Sequence, residues 1–435
     1  MAERPILFSG ARVVDPISAR DELTDVLVAG ETIEAVGSGL AADDAEAIDC
    51  AGLILAPGLV DLHTHLREPG FEHKETIETG TRAAAAGGYT AVASMANTEP
   101  ATDHAGVVAE IRDKAAAAGL CDVFPVGAIT KGLAGESIAE LGEMVEAGVR
   151  VFSDDGNCVP SARVLRNALI YAKAFGGEVV IADHCEDPSL IEGGQMHEGA
   201  NSYTLGLAGR PAEAEELVVA RDLALARATG GRLHVCHVTS ARSVELIRRA
   251  KAEGIRVTAE VTPHHLVFTD DDLVTYDTNL KVHPPIRTAE DRDALREGVA
   301  DGTIDAIATD HAPHAVEEKE AEFDHSPPGT IGLETALAAV LTHLVRPGTV
   351  SLGRALEAMT VAPARILGAT GQGGPIEAGA PANLVVFHPE EGWIVEAPFV
   401  SKARNSAFLG RELAGRVHHT MLRGSLTVVD GKATR

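Results

Sequence analysis

Aromatic residues are scarce in this chain of 435 residues, with ten Phe, four Tyr and one Trp. Few rings are therefore available to stack on bases. Positive charge is also in short supply: 37 Lys and Arg face 64 Asp and Glu, a formal net charge of −27. Such a surface repels phosphodiester backbones and anionic headgroups, and no Lys/Arg run offsets it, so nucleic acid and membrane surfaces are excluded as partners. No apolar stretch reaches the roughly 20 residues that span a bilayer, and the first ten residues lack a basic flank followed by an apolar core. A cytoplasmic location is expected. The five cysteines, Cys50, Cys121, Cys158, Cys185 and Cys236, are odd in number and contain no CxxC pair. That pattern excludes a disulfide framework and a zinc ribbon, and leaves small buried hydrophobes.

What the chain does have is 45% hydrophobic residues, enough for one large α/β barrel or two to three ordinary domains. Its middle repeats one grammar: a short apolar run, a polar or Gly-containing turn, then an Ala/Leu/Glu-rich helical stretch. The apolar runs are 55–62, 89–95, 122–128, 149–153, 178–182, 232–236, 256–261 and 304–309. Strands buried on both faces read this way. Helices are expected at 76–86, 105–117, 137–146, 161–175, 212–228, 240–252, 288–299 and 333–344. Eight βα units predict a closed (β/α)8 TIM-type barrel of the α/β class, with an open doubly wound sheet as the competitor.

The ends differ. Residues 6–14, 25–29 and 32–36, and again 383–388, 417–422 and 425–429, alternate like short antiparallel strands. Neither end carries enough apolar surface to fold alone, so the two are expected to pair. This gives a composite β domain from 1–56 and 366–435 beside a barrel at 57–365.

The first apolar run ends on Asp61-Leu62-His63-Thr64-His65-Leu66-Arg67. Residues i and i+2 of an extended segment share a side, so His63 and His65 can offer two imidazoles to one metal. The corresponding ends of later strands carry Asn97, Asp155, His184, His237 and Asp310. In a barrel these ends meet on one face, where such folds place their active sites. Four imidazoles and two carboxylates suffice for two divalent ions, with zinc the best match, and a bridged ion pair points to hydrolysis. Asp310 beside the ions is suited to general base and then general acid work. Arg67, two residues past His65, presents a fork suited to a carboxylate. His311 is expected in a supporting role. The stretch 315–328 reads as a lid or a surface loop.

The motifs DLHTHLREPG, MANTEP, VFSDDG, VIADHCED, LHVCHVTS, VTPHHL, ATDHAPH and GTIGLETAL, in this order, resemble the amidohydrolase superfamily, and most closely its class I bacterial dihydroorotases. The resemblance runs from about Ile6 to Val429. It implies a barrel with a composite β domain, a centre of two Zn²⁺ ions bridged by Asp155 and hydroxide, and reversible cyclisation of N-carbamoyl-L-aspartate to L-dihydroorotate in pyrimidine synthesis. It places His63, His65 and Asp310 on one zinc and His184 and His237 on the other, with Asp155 chosen over Asp154 by the second Asp of the DDG motif. Arg67 and Asn97 are implied for the substrate carboxylate, joined by His314. His65, His283 and Gly329 complete the substrate lining, and Asp310 is the implied catalytic acid/base.

The chain departs from the family pattern at three places. Ala96 replaces a usual Pro, His283 a usual Asn, and Pro328-Gly329 a usual Phe-Gly. Pro328 has no amide donor, so a main-chain contact there falls to Gly329 or to a carbonyl. The alternative activity is that of hydantoinases and allantoinases, which bridge their metals with a carboxylated Lys at the end of strand four. No Lys lies between Lys131 and Lys173, which favours dihydroorotase. A non-catalytic scaffold for aspartate carbamoyltransferase is the other alternative. A homo-oligomer, or association with that transferase, is compatible with the resemblance.

Overall fold

The computed structural model describes residues 4–41 and 44–434. Eight parallel strands form the barrel: Leu59–Thr64, Tyr89–Ser94, Asp122–Pro125, Val151–Ser153, Val180–Asp183, Arg232–Val235, Val257–Val261 and Ala306–Ile307. The first three pair with one another, as do the last five. Two parallel bridges, Gly127 to Phe152 and Thr64 to His311, close the circle. Gly127 is needed there, because a Cβ on it would lie 2.7 Å from the Phe152 ring. The predicted closed barrel is thus present, and the open sheet is not.

Inside, Val60, Ala91, Val126, Val180 and Ala306 pack together, and helix Val361–Leu367 plugs the N-terminal end with Ala364, Ile366 and Leu367. Outer helices begin where hydroxyl side chains take up free backbone amides. Thr76 and Thr79 make a reciprocal cap for Ile77–Ala86, and Ser161, Ser240 and Thr288 cap Ala162–Ala172, Ala241–Ala252 and Ala289–Asp301. The expected helices at 105–117 and 212–228 form as Ala105–Ala118 and Glu213–Thr229, and two others are shorter. The stretch 137–146 yields only Leu141–Glu146. The stretch 333–344 begins at Ala336, after Ile331 has donated its amide to Asn405, and ends in a wider turn over Leu341–Val345.

The termini form one nine-stranded sheet. Ile6–Asp15 pairs with Arg20–Ala29, which pairs with Thr32–Gly37; Leu384–Ile394 pairs with Glu412–Leu422, which pairs with Ser425–Val429. The joint is Ile54–Pro57, antiparallel to Leu384–Ile394 on one side and parallel to Ile6–Asp15 on the other. The apolar run 55–62 is therefore two strands in two sheets. Gly58 makes the crossing, and a Cβ there would sit 2.3 Å from the Thr90 side chain. Hydrophobicity alone does not reveal which sheet a buried run joins.

All five cysteines are free and buried. Among the described residues no helix is long and apolar enough to cross a membrane.

Candidate active site

At the C-terminal ends of the strands the selected imidazoles and carboxylates converge, with Asp155 at the centre. Its Oδ2 lies 3.2 Å from His63 Nε2 and 3.4 Å from His65 Nε2. Its Oδ1 lies 3.1 Å from His237 Nε2 and 3.5 Å from His184 Nδ1. Asp310 Oδ1 is 3.0 Å from His65 Nε2 and 3.6 Å from His63 Nε2. Each Asp155 oxygen faces a different imidazole pair, and Asp310 closes on one of them. All six side chains are buried. Asp154 points the other way, accepting the amides of Ile129 and Thr130 at 2.8 and 2.9 Å and the Thr130 hydroxyl.

The local backbone is unusual for these residue types. Arg67, His237 and Asp310 have φ of 64°, 28° and 47°, a region that side chains with a Cβ seldom enter. The last strand accordingly stops at Ile307, short of the expected residue 309: Asp61 takes the Thr309 amide at 3.0 Å and the chain turns to aim Asp310 inward. His311 faces away from the cluster, on Glu75 at 3.4 Å and the Gly332 amide at 3.2 Å.

Two carboxylates that sequence reasoning passed over orient the imidazoles. His63 Nδ1 donates to Glu260 Oε1 at 2.7 Å, and Glu260 Oε2 lies 3.2 Å from His234 Nε2. His184 Nε2 donates to Glu186 Oε2 at 3.1 Å, which also accepts from Arg210 at 2.8 Å. A signal was present, since Glu260 is an acid inside the apolar run 256–261. Such bonds fix which ring nitrogen faces the site.

Burial disfavours charge on His63, His184 and the carboxylates around them. For His63 and His184 the surrounding carboxylates outweigh it, holding His63 well above its ordinary value and His184 at about 10. Burial likewise works to raise Asp155 and Asp310, but the imidazoles hold both far below the usual carboxylate range. Glu186 and Glu260 are pulled down to about 2 in the same way. The site is therefore built to concentrate negative charge and to demand cations. His63 Nε2, though buried beside carboxylates, makes no hydrogen bond. The sets His63, His65, Asp310 and His63, Asp155, His237 each hold their donor atoms within 4.8 Å. Neutral imidazole nitrogens with carboxylate oxygens suit a first-row divalent ion, so the residues present fit a metal.

The remaining expected residues lie around this cluster. Asn97 Oδ1 is 2.9 Å from His65 Nδ1, so Asn97 orients that imidazole. Arg67 donates to the Pro313 carbonyl at 3.2 Å; burial lowers its pKa to about 10, against the pull of Asp310 and Asp155. His314 donates from Nε2 to the Pro328 carbonyl at 2.9 Å, and burial with the nearby Arg67 pushes it down to about 3, so it is neutral. His283 sits on the His184 side, its Nε2 unpartnered, and is pushed down to about 3 by burial and then by Arg210. A cavity of about 250 Å³ reaches His184 and Glu186 beside it. Gly329 departs from expectation. Its amide donates to the Lys281 carbonyl at 2.8 Å and its own carbonyl accepts from Lys319 and Asn405, so its main chain is already satisfied. Its φ of +140° and the 2.9 Å approach of Ala312 to a Cβ built there explain the glycine instead. The segment 315–328 is pinned, with Lys281 donating to Phe323 at 2.6 Å and Lys319 to Pro327 at 2.9 Å.

Residues 52–243 match the model of a family described as dihydro-orotase-like. The dihydroorotase of Streptomyces coelicolor is 52% identical over 98% of this chain and 99% of its own length. That of Leifsonia xyli subsp. xyli is 50% identical over 99% and 98%. Among solved structures, the L-hydantoinase (dihydropyrimidinase) of Arthrobacter aurescens superposes with a TM-score of 0.89 at 28% identity, over 100% of this chain and 98% of that one. The dihydropyrimidinase of Brevibacillus agri gives 0.85 at 25% identity, over 99% and 96%. With identities near one half along almost the whole chain, and a convergent His/Asp cluster at the strand ends of a closed barrel, the chain belongs to the dihydroorotase family of the metal-dependent amidohydrolase superfamily.

Proposed function

We propose that this enzyme interconverts L-dihydroorotate and N-carbamoyl-L-aspartate, and that His63, His65 and Asp310 would hold one zinc ion and His184 and His237 a second, with Asp155 available to both. The observation that carries the reading is the division of labour at Asp155, whose two oxygens face two separate imidazole pairs. Ions bound there would supply Lewis acidity and the means to activate a water.

The chain's own residues do the rest. Asp310, held ionised by His63 and His65, accepts the proton of the attacking water and returns it to the departing ring nitrogen. Arg67 and neutral His314 receive the substrate carboxylate, with Asn97 fixing His65 below them. Glu260 and Glu186 hold His63 and His184 with the correct nitrogen inward. Ring closure retraces the same steps. On this reading residues 57–365 form the catalytic barrel and 1–56 with 366–435 its β companion, in a cytoplasmic enzyme.

Hydantoin opening is the nearest alternative, since hydantoinases share the fold. The strand-four end carries Asp154 and Asp155, and no Lys lies between Lys131 and Lys173, which supports dihydroorotate. Zinc-loaded protein should open dihydroorotate at least about 100-fold faster than hydantoin or allantoin, a difference of about 2.7 kcal/mol in transition-state stabilisation. Rapid opening of allantoin with dihydroorotate untouched would overturn the assignment.

A further inference from the structure

The opposite, N-terminal face of the barrel carries the reverse charge pattern. Arg150 and Arg232 stand at the starts of the fourth and sixth strands, and Arg365 in the last turn of the plugging helix. All three line one cavity of about 580 Å³, in which Glu178 is the only carboxylate among the described residues. In a chain with 64 acids and 37 bases, three guanidiniums against one carboxylate is a local inversion. None of the three makes an ion pair among the described residues. Arg256 packs behind Arg232, so that burial and a like charge both act against the Arg232 cation.

Two of the guanidiniums are also held in place. Arg150 Nη1 donates to the Val145 and Val149 carbonyls at 3.1 and 2.9 Å, and Arg232 Nη1 to the Glu178 carbonyl at 2.8 Å. One nitrogen anchors each fork, and its other donors remain available. Helix ends and backbone carbonyls attract arginines to this face of a barrel, but such capping leaves neither an open cavity nor an uncompensated charge of about two. A phosphate group carries about that charge in opposite sign, and three oxygens that match arginine forks. The volume exceeds what a lone phosphate needs and falls within the roughly 300–1,000 Å³ of small-molecule sites. Ile17, Val361 and Ala364 supply an apolar wall.

We propose that this cavity binds a phosphate-bearing small molecule, its phosphate held by Arg150, Arg232 and Arg365 and its body lying against Ile17 and Val361. The site is remote from the catalytic face, and the strands that begin at Arg150 and Arg232 lead to Asp155 and His237 at their far ends.

The test is calorimetric titration of the metal-loaded full-length protein, at fixed ionic strength, with inorganic pyrophosphate and separately with adenosine 5′-diphosphate. Saturable binding at one site is expected, weakened at least tenfold in Arg365→Ala and in Arg232→Gln. Because Arg365 is exposed and makes no hydrogen bond among the described residues, Arg365→Ala should retain the wild-type fold and ring-opening rate. Tighter binding of the nucleotide assigns an organic body to the ligand, and equal affinities assign free phosphate or pyrophosphate; both support the site. Absence of saturable binding for either probe, or affinities unchanged in both variants, overturns it, whatever reaction the opposite face performs.

Discussion

The two faces of the barrel solve opposite electrostatic problems with the same strands. At the C-terminal face, buried carboxylates outnumber fixed cations, and they favour the charged forms of His63 and His184. At the N-terminal face, guanidiniums outnumber carboxylates and are steadied by main-chain carbonyls. The lesson is that a net charge of −27 describes neither face: one demands cations, and the other is prepared for an anion.

Three substitutions at the C-terminal face probe this contrast. The largest effect belongs to Asp310→Asn, which should lower turnover about 10³- to 10⁴-fold while zinc content by atomic absorption stays near wild type. Full activity in that protein would remove Asp310 from proton transfer. Arg67→Ala should raise KM about 10- to 100-fold with kcat changed far less, the cost of a lost charge-assisted contact; a fall confined to kcat would assign Arg67 to the chemistry instead. Glu260→Gln should weaken metal retention about 10- to 100-fold in a chelator competition, by loosening His63. Unchanged retention would mean the His63 ring is fixed by packing alone.

The smallest effect concerns a buried acid outside the His/Asp cluster. Glu334 accepts the amides of Val400 and Ser401 at 2.9–3.0 Å, yet burial raises its pKa to about 7. A carboxyl raised on folding contributes stability that is fully present below its ordinary value of 4.5 and is lost as pH rises through about 7. Thermal melts should therefore show the wild type losing roughly 1–3 kcal/mol relative to Glu334→Gln between pH 5 and 8. Parallel curves for the two proteins would refute the shift.

Much of the architecture was legible because buried parallel strands and amphipathic helices leave different periods in the sequence. The cluster was legible because its imidazoles and carboxylates recur at one structural position, the strand end. What stayed hidden depended on partners far away in sequence. Asp154 and Asp155 are adjacent and chemically identical, and it is Ile129 and Thr130, 25 and 24 residues from Asp154, that show which one turns away. The Gly329 amide was free to face a ligand until Lys281 claimed it. Gly58 gave no sign that a single apolar run would be divided between two sheets. The arginine cavity is assembled from two strand starts and a helix more than 100 residues further on, with no motif to announce it.

The left-handed backbone at Arg67, His237 and Asp310 has a consequence for anyone engineering this enzyme. Each of those positions costs conformational energy of about 1–3 kcal/mol that a glycine would not incur. A screen that rewards thermal tolerance alone will thus tend to favour replacing three residues of the candidate active site. Selection for robustness and selection for turnover pull in opposite directions at these three positions, so a library meant to harden the protein should hold them constant.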